Sequence, residues 1–261
     1  MNKTVLITGA SSGIGYEFAK IYASKGYDLV LVARNQTKLA ELQIACKTTK
    51  NKVEIISKDL SQINSANEIF DYCITKNIRV DYLINNAGFG DFGFFAQSNW
   101  GKQQEMLNVN IITLTNLTHL FLPKMVENKF GKILNVASTA AFQPGPLMSV
   151  YYATKAYVLS FTEAISNELE GTGVSVCALC PGPTESGFLD AAALQESKLF
   201  KGKKLATSKE VAQFGYDSLE NNKVVAIHGL MNKIMATAIR FTPRGLVRKM
   251  VRYIQSKDKK E

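Results

Sequence analysis

The sequence predicts an α/β protein, a doubly wound parallel sheet with helices on both faces, from three observations. Short β-branched runs alternate with longer stretches of helical periodicity through the first two-thirds of the chain. The strand candidates are near-continuous apolar runs, as strands covered on both faces must be. A glycine-rich turn leads from the first strand directly into the first helix. At 261 residues the chain is long enough to bury a substantial single core. No repeat, linker or low-complexity segment divides it, and seven strands in this rhythm describe a Rossmann-type domain.

Taken in order, the first strand is expected over 3–8, where Val5-Leu6-Ile7 is too short an apolar run for a secretory signal core. Further strands are expected over 28–33, 53–57, 80–85, 131–137, 174–180 and 223–227. The spacing predicts helices over 13–25, 36–48, 62–76, 101–128, 151–170 and 208–220. Residues 183–207 follow a strand's carboxyl end and lack periodicity, which suits a substrate loop. Residues 1–228 thus read as a dinucleotide-binding catalytic domain and 229–261 as a basic C-terminal extension packed on it.

Charge and cysteine usage narrow the class. The net charge is +9, of which +7 falls after residue 228 and only +2 before it. The core domain is therefore nearly neutral, with no basic surface to suggest nucleic acid. No apolar run approaches the ~18 residues of a membrane-spanning helix, so cytoplasmic residence is the expectation. Cys177 and Cys180 form a C-x-x-C but lie on an expected strand, where residues three apart point to opposite faces. They read as core residues, not as a redox or metal pair, and Cys46, Cys73, His119 and His228 complete no zinc site.

The chemistry is concentrated in a few short stretches. Gly9, Gly13 and Gly15, with Ser11, Ser12 and Ile14 between them, form a turn that lets backbone approach a pyrophosphate at a helix N-terminus. Tyr151 and Lys155 are four apart and share one helical face. A cation there, helped by the positive charge of an oxidised nicotinamide, is expected to lower the tyrosine's ordinary value of about 10 and ease its proton exchange. Tyr152 lacks this partner, since Ala156 stands four residues on. At the end of the second strand Ala33 occupies the place of an acid that would bind a ribose 2′-OH, while Arg34 and Lys38 suit a 2′-phosphate. NADP(H) is the expected cofactor.

Thr8-Gly9 through Gly13-Ile14-Gly15, Asn85-Asn86-Ala87-Gly88, Ser138 ahead of Tyr151-x-x-x-Lys155, and Pro181-Gly182 stand in order along the chain. Together they resemble the short-chain dehydrogenase/reductase family over essentially the whole length. The resemblance implies a hydride transfer between NADP(H) and a ketone or aldehyde. Tyr151 is then the proton donor and Ser138 the group that hydrogen-bonds the reacting oxygen. Lys155 tunes the tyrosine and holds the nicotinamide ribose. Asn110 helps hold a water leading to the lysine, with Asn108 as competitor. Asp59 and Leu60 meet the adenine, Asn86, Ala87 and Gly88 flank the cofactor, and Thr184, after Pro181 and Gly182, meets the carboxamide. The resemblance also implies a homodimer or homotetramer built on helices near 101–128 and 151–170.

Phe89, Phe92, Phe94 and Phe95, with apolar residues from Ile227 to Met235, hint at an apolar substrate. Acyl-chain ketone, steroid-like ketone and small aldehyde stay open, and so does a non-catalytic protein that senses NADP(H). Leu246, Val247, Met250, Val251 and Ile254 fall at helical spacing among Arg244, Arg248, Lys249 and Arg252. This stripe is expected to pack on the domain, with peripheral contact to an anionic membrane as the alternative.

Overall fold

The computed structural model describes residues 2–185 and 205–255. One sheet carries seven parallel strands in the order β3-β2-β1-β4-β5-β6-β9. The strands are β1 (Thr4–Thr8), β2 (Asp28–Ala33), β3 (Val53–Ser57), β4 (Tyr82–Asn85), β5 (Gly131–Val136), β6 (Val174–Cys180) and β9 (Val225–Ile227). The chain starts centrally, winds outward through β3, then returns to β4 on the other side of β1. That reversal opens a crevice at the carboxyl ends of β1 and β4.

Helices α1 (Gly13–Ser24), α2 (Gln36–Cys46) and α3 (Ser65–Thr75) cross between the early strands. Helices α4 (Trp100–Leu107), α5 (Leu114–Glu127), α6 (Ser149–Glu168) and α7 (Ser208–Glu220) serve the later ones. Alternate residues of each strand feed two apolar layers: Val5 and Ile7 pack with Phe18, Tyr22 and Val211, whereas Leu6 packs with Ile69, Leu117 and Ile165. Cys177 and Cys180 obey the same alternation and enter different clusters. All four thiols are free and buried.

Several boundaries differ from the sequence expectation. The helix expected over 101–128 is interrupted by a π-helical turn at Asn108–Thr113. Two short strands, β7 (Thr184–Glu185) and β8 (Ala206–Thr207), pair in parallel at the ends of the expected substrate loop. The interior of that loop, 186–204, lies outside the described residues. Beyond β9 come α8 (Leu230–Ile239), which the strand and helix expectations did not include, and α9 (Arg244–Gln255). Val247 and Val251 are buried in a cluster with Met106, Met148, Tyr151 and Tyr152, so one stripe of α9 packs on the domain. Of the other residues of the stripe, Ile254 is partly buried and Leu246 and Met250 are exposed. No helix among the described residues is long and apolar enough to cross a membrane.

A buried polar chain ties the carboxyl half of the sheet to its helices. Asn85 Nδ2 donates to Asn135 Oδ1 (2.9 Å) and Thr118 Oγ1 (3.1 Å), and Asn135 Nδ2 donates to Thr162 Oγ1 (3.0 Å). These bonds hold β4 against β5 and dock α5 and α6. Truncating the middle member takes one hydrogen bond from the buried group on each side, at about 1–3 kcal/mol together. Asn135→Ala is therefore expected to lower stability by about that amount, read from urea denaturation of the full chain.

Candidate active site

A cavity of about 910 Å³ opens at the carboxyl ends of the central strands. The turn after β1 forms one wall, with Gly9 at φ +65° and Gly13 at φ +57°, in the region that L side chains rarely adopt. Ser12 caps α1 without a side-chain hydrogen bond, so the first-turn N–H groups keep their capacity to bind an anion. Ser11, Ser12, Gly13 and Ile14 all face the cavity. Gly15 does not line it. A Cβ there would lie 2.3 Å from the Gly9 carbonyl oxygen, so this glycine permits the helix to press against its own turn.

The far side of the turn is braced by β4. Asn86 Nδ2 donates to the carbonyls of Thr8 (2.9 Å) and Gly9 (3.2 Å). Thr8 Oγ1 accepts from the N–H groups of Asn86 (3.0 Å) and Ala87 (3.1 Å). Asn86, Ala87 and Gly88 line the cavity as well. At the end of β2, Arg34 and Lys38 are exposed cavity residues with no ion pair among the described residues. Asp59 and Leu60 lie beyond them, Asp59 Oδ1 accepting from the N–H (3.0 Å) and hydroxyl (2.9 Å) of Ser61. Lys58, which the sequence reading passed over, joins this end while paired to Glu68. Pro181, Gly182 and Thr184 close the opposite side, with Thr184 Oγ1 donating to the Gly182 carbonyl (2.9 Å).

Ser138, Tyr151 and Lys155 meet on the inner wall. Ser138 caps a short 3-10 turn after β5, its Oγ accepting from the Ala140 N–H (3.1 Å), and its hydroxyl hydrogen-bonds the Tyr151 phenol. The Lys155 ammonium lies 5.8 Å from the Tyr151 ring centre and donates to the Val136 carbonyl (2.7 Å). The expected lowering of the tyrosine by this lysine is not what the protein alone produces. Burial raises the Tyr151 phenol well above its ordinary value, and the Ser138 bond offsets only part of that. Burial likewise pushes the Lys155 ammonium down to about 8. Both shifts have one cause, since each charged form loses its water in the same enclosed place.

Asn110 does not line the cavity. It is fully buried on the π-helical turn, where Nδ2 donates to the Phe89 carbonyl (3.0 Å) and Thr154 Oγ1 (3.0 Å), and Oδ1 accepts from the Phe89 N–H (3.2 Å). Thr154 passes the restraint on by donating to the Tyr151 carbonyl (2.7 Å). The side chain is thus a brace between the Gly88–Phe89 backbone and the first turn of α6. Asn108 faces elsewhere and donates to the Ser61 carbonyl (2.9 Å). Tyr152, set aside in the sequence for want of a lysine partner, is a cavity residue whose hydroxyl accepts from Gln255 of α9 and bonds Gln143. No local signal joins residues so far apart in the chain. Among the described residues no group of three or more His, Cys, Asp or Glu side chains suits a metal ion.

A model of the short chain dehydrogenase family matches residues 3–197. The chain belongs to the short-chain dehydrogenase family. Among relatives of this dehydrogenase, the ketoacyl reductase HetN of a Nostoc species is 33% identical over 226 residues, covering 86% of this chain and 78% of that protein. A solved short-chain dehydrogenase from Sphingobium yanoikuyae in complex with NADPH is 30% identical, with a TM-score of 0.83 over 98% of this chain and 99% of that one. Another from Burkholderia phymatum, in complex with NAD, is 27% identical, with a TM-score of 0.80 over 92% of both chains. By family, the chain is an oxidoreductase.

The depressed lysine has a consequence for stability. Its folded-state value of about 8 lies below its ordinary 10.5, so the unfolded chain holds the extra proton between those limits. This group therefore costs most below pH 8, and stability rises with pH through the window. The expected outcome is that the melting temperature of wild type rises relative to that of Lys155→Met from about pH 8 to about pH 10. A difference independent of pH contradicts the burial argument.

Proposed function

We propose that this chain is an NADPH-dependent carbonyl reductase, reversible as an alcohol dehydrogenase, acting on an apolar ketone or aldehyde. One observation carries the reading: the Tyr151 and Ser138 hydroxyls meet beside the Lys155 ammonium, in a cavity continuous with the turn after β1. When bound, the nicotinamide supplies hydride to the carbonyl carbon or takes it back from the alcohol. Tyr151 gives its proton to the oxygen as negative charge develops there. Ser138 donates to the same oxygen and stabilises that charge. Lys155 places a positive charge behind the phenol and eases loss of its proton. Asn110 and Thr154 keep the first turn of α6 in register with the wall opposite.

The residues present fit a dinucleotide. The turn after β1 and the start of α1, which has no side-chain cap, suit its pyrophosphate, and Arg34 and Lys38, without an ion pair among the described residues, suit a 2′-phosphate. Asp59 and Leu60 line the cavity and are assigned to the adenine, and Thr184 to the carboxamide. Phe89, Met148, Met231, Met235 and Ile239 give the substrate end an apolar lining, in keeping with acyl-chain ketones such as the name of the Nostoc relative implies. Free, buried thiols suit a reducing compartment such as the cytoplasm. Self-association through α5 and α6 completes the proposal, with Val126 and Tyr157 exposed there.

NADPH oxidation measured against a panel of acyl-chain, steroidal and small carbonyl compounds tests the reaction. Tyr151→Phe is expected to lower turnover by at least about 10²-fold while NADPH still quenches or shifts protein fluorescence. Tight NADPH binding with no turnover of any compound would instead indicate a sensor. Arg34→Ser is expected to weaken NADPH about tenfold to a hundredfold with little effect on NADH. Equal losses for both cofactors would refute the phosphate assignment.

A further inference from the structure

The helices beyond β9 present an apolar surface that extends well outside the cavity lining. Leu230, Met231, Ile234 and Met235 occupy one continuous arc of α8, and all four are exposed. Leu230 is 75% exposed and Phe241, in the turn after α8, 84%. On α9, Leu246, Met250 and Tyr253 form an exposed stripe beside the buried one of Val247 and Val251. An exposed surface of this kind on a water-soluble domain marks a binding surface.

Charge identifies what it binds. From Gly229 to Gln255 there are six Lys and Arg residues and no Asp or Glu. None of Lys233, Arg240, Arg244, Arg248, Lys249 and Arg252 has an ion pair among the described residues. Arg252 lies 4.9 Å from the ring centre of Phe94, which is itself exposed and extends the apolar surface beyond α9. Met231 and Met235 belong both to this surface and to the cavity lining, so the apolar face runs continuously into the site. A second copy meeting this face across a two-fold axis would set the cations against themselves. Apolar side chains among unneutralised cations instead match acyl chains beneath anionic headgroups.

We infer that α8, Phe241 and the exposed stripe of α9 dock on an anionic bilayer, with the cavity mouth turned towards the lipid. The substrate would then reach the site from the membrane. The inference extends the apolar-substrate reading of the same cavity, but binding to lipid does not depend on turnover.

The test is co-sedimentation of the full chain with vesicles of pure phosphatidylcholine and of about three parts phosphatidylcholine to one part phosphatidylglycerol. Binding is expected only to the anionic vesicles, weakening as salt is raised. Arg248→Glu with Lys249→Glu is expected to weaken it at least about tenfold. Leu230→Ser with Phe241→Ser should weaken it comparably, and none of these four residues lines the cavity. NADPH-dependent turnover of a water-soluble ketone without vesicles should be unchanged in both double variants, which separates this test from that of the reaction. No vesicle binding, equal binding to neutral vesicles, or a change of oligomeric state in the apolar variant each overturns the inference.

Discussion

The whole site depends on burying a phenol and an ammonium one helical turn apart. Neither charged form is comfortable in that enclosure: the tyrosine resists losing its proton and the lysine holds its own less tightly. The pair is nonetheless held in place by neutral polar atoms. Ser138 bonds the phenol, the Val136 carbonyl receives the ammonium, and Thr154 fastens the helix that carries both. Rigid neutral partners of this kind place the groups without discharging them, so their proton affinities stay open to whatever charge binds beside them. In the proposed reaction that charge arrives with the oxidised cofactor, whereas in the protein alone burial keeps the tyrosine protonated.

The rest of the fold can be understood as support for that wall. The crevice exists because the chain reverses direction between β3 and β4. Its two lips are joined by Thr8 and Asn86, whose mutual hydrogen bonds make the glycine turn and the end of β4 one unit. The π-helical turn carries Asn110 inward to meet Phe89 and Thr154. On the outer side α9 reaches back so that Gln255 touches Tyr152, placing the basic tail in direct contact with the residue beside the proposed acid.

Much of this was legible in the sequence, because it follows from short-range rules. Strand alternation, the glycine turn between β1 and α1 and the shared helical face of Tyr151 and Lys155 each concern residues within a turn or two of one another, and the fold contains all three. Two things were not legible. The π-helical turn leaves no mark, since Asn108-Val109-Asn110-Ile111-Ile112-Thr113 suits a continuous helix equally well. The sign of the tyrosine shift was also hidden: spacing reveals the cation four residues on, but the burial that outweighs it is contributed by distant elements. Burial likewise divided the tail, where the sequence shows one apolar stripe and the fold buries Val247 and Val251, partly covers Ile254 and leaves Leu246 and Met250 outside.

The central claim is that the Tyr151 phenol is held neutral by burial and becomes acidic when positive charge binds beside it. A direct measurement is the titration of Tyr151 by NMR, using tyrosine labelled with carbon-13 at Cζ and assigned with Tyr151→Phe, with and without NADP⁺. The account predicts titration above the ordinary value of about 10 in the protein alone, and a clear downward shift on adding the oxidised cofactor. A phenol that already titrates at or below that ordinary value without cofactor, or one that NADP⁺ leaves unmoved, would contradict it.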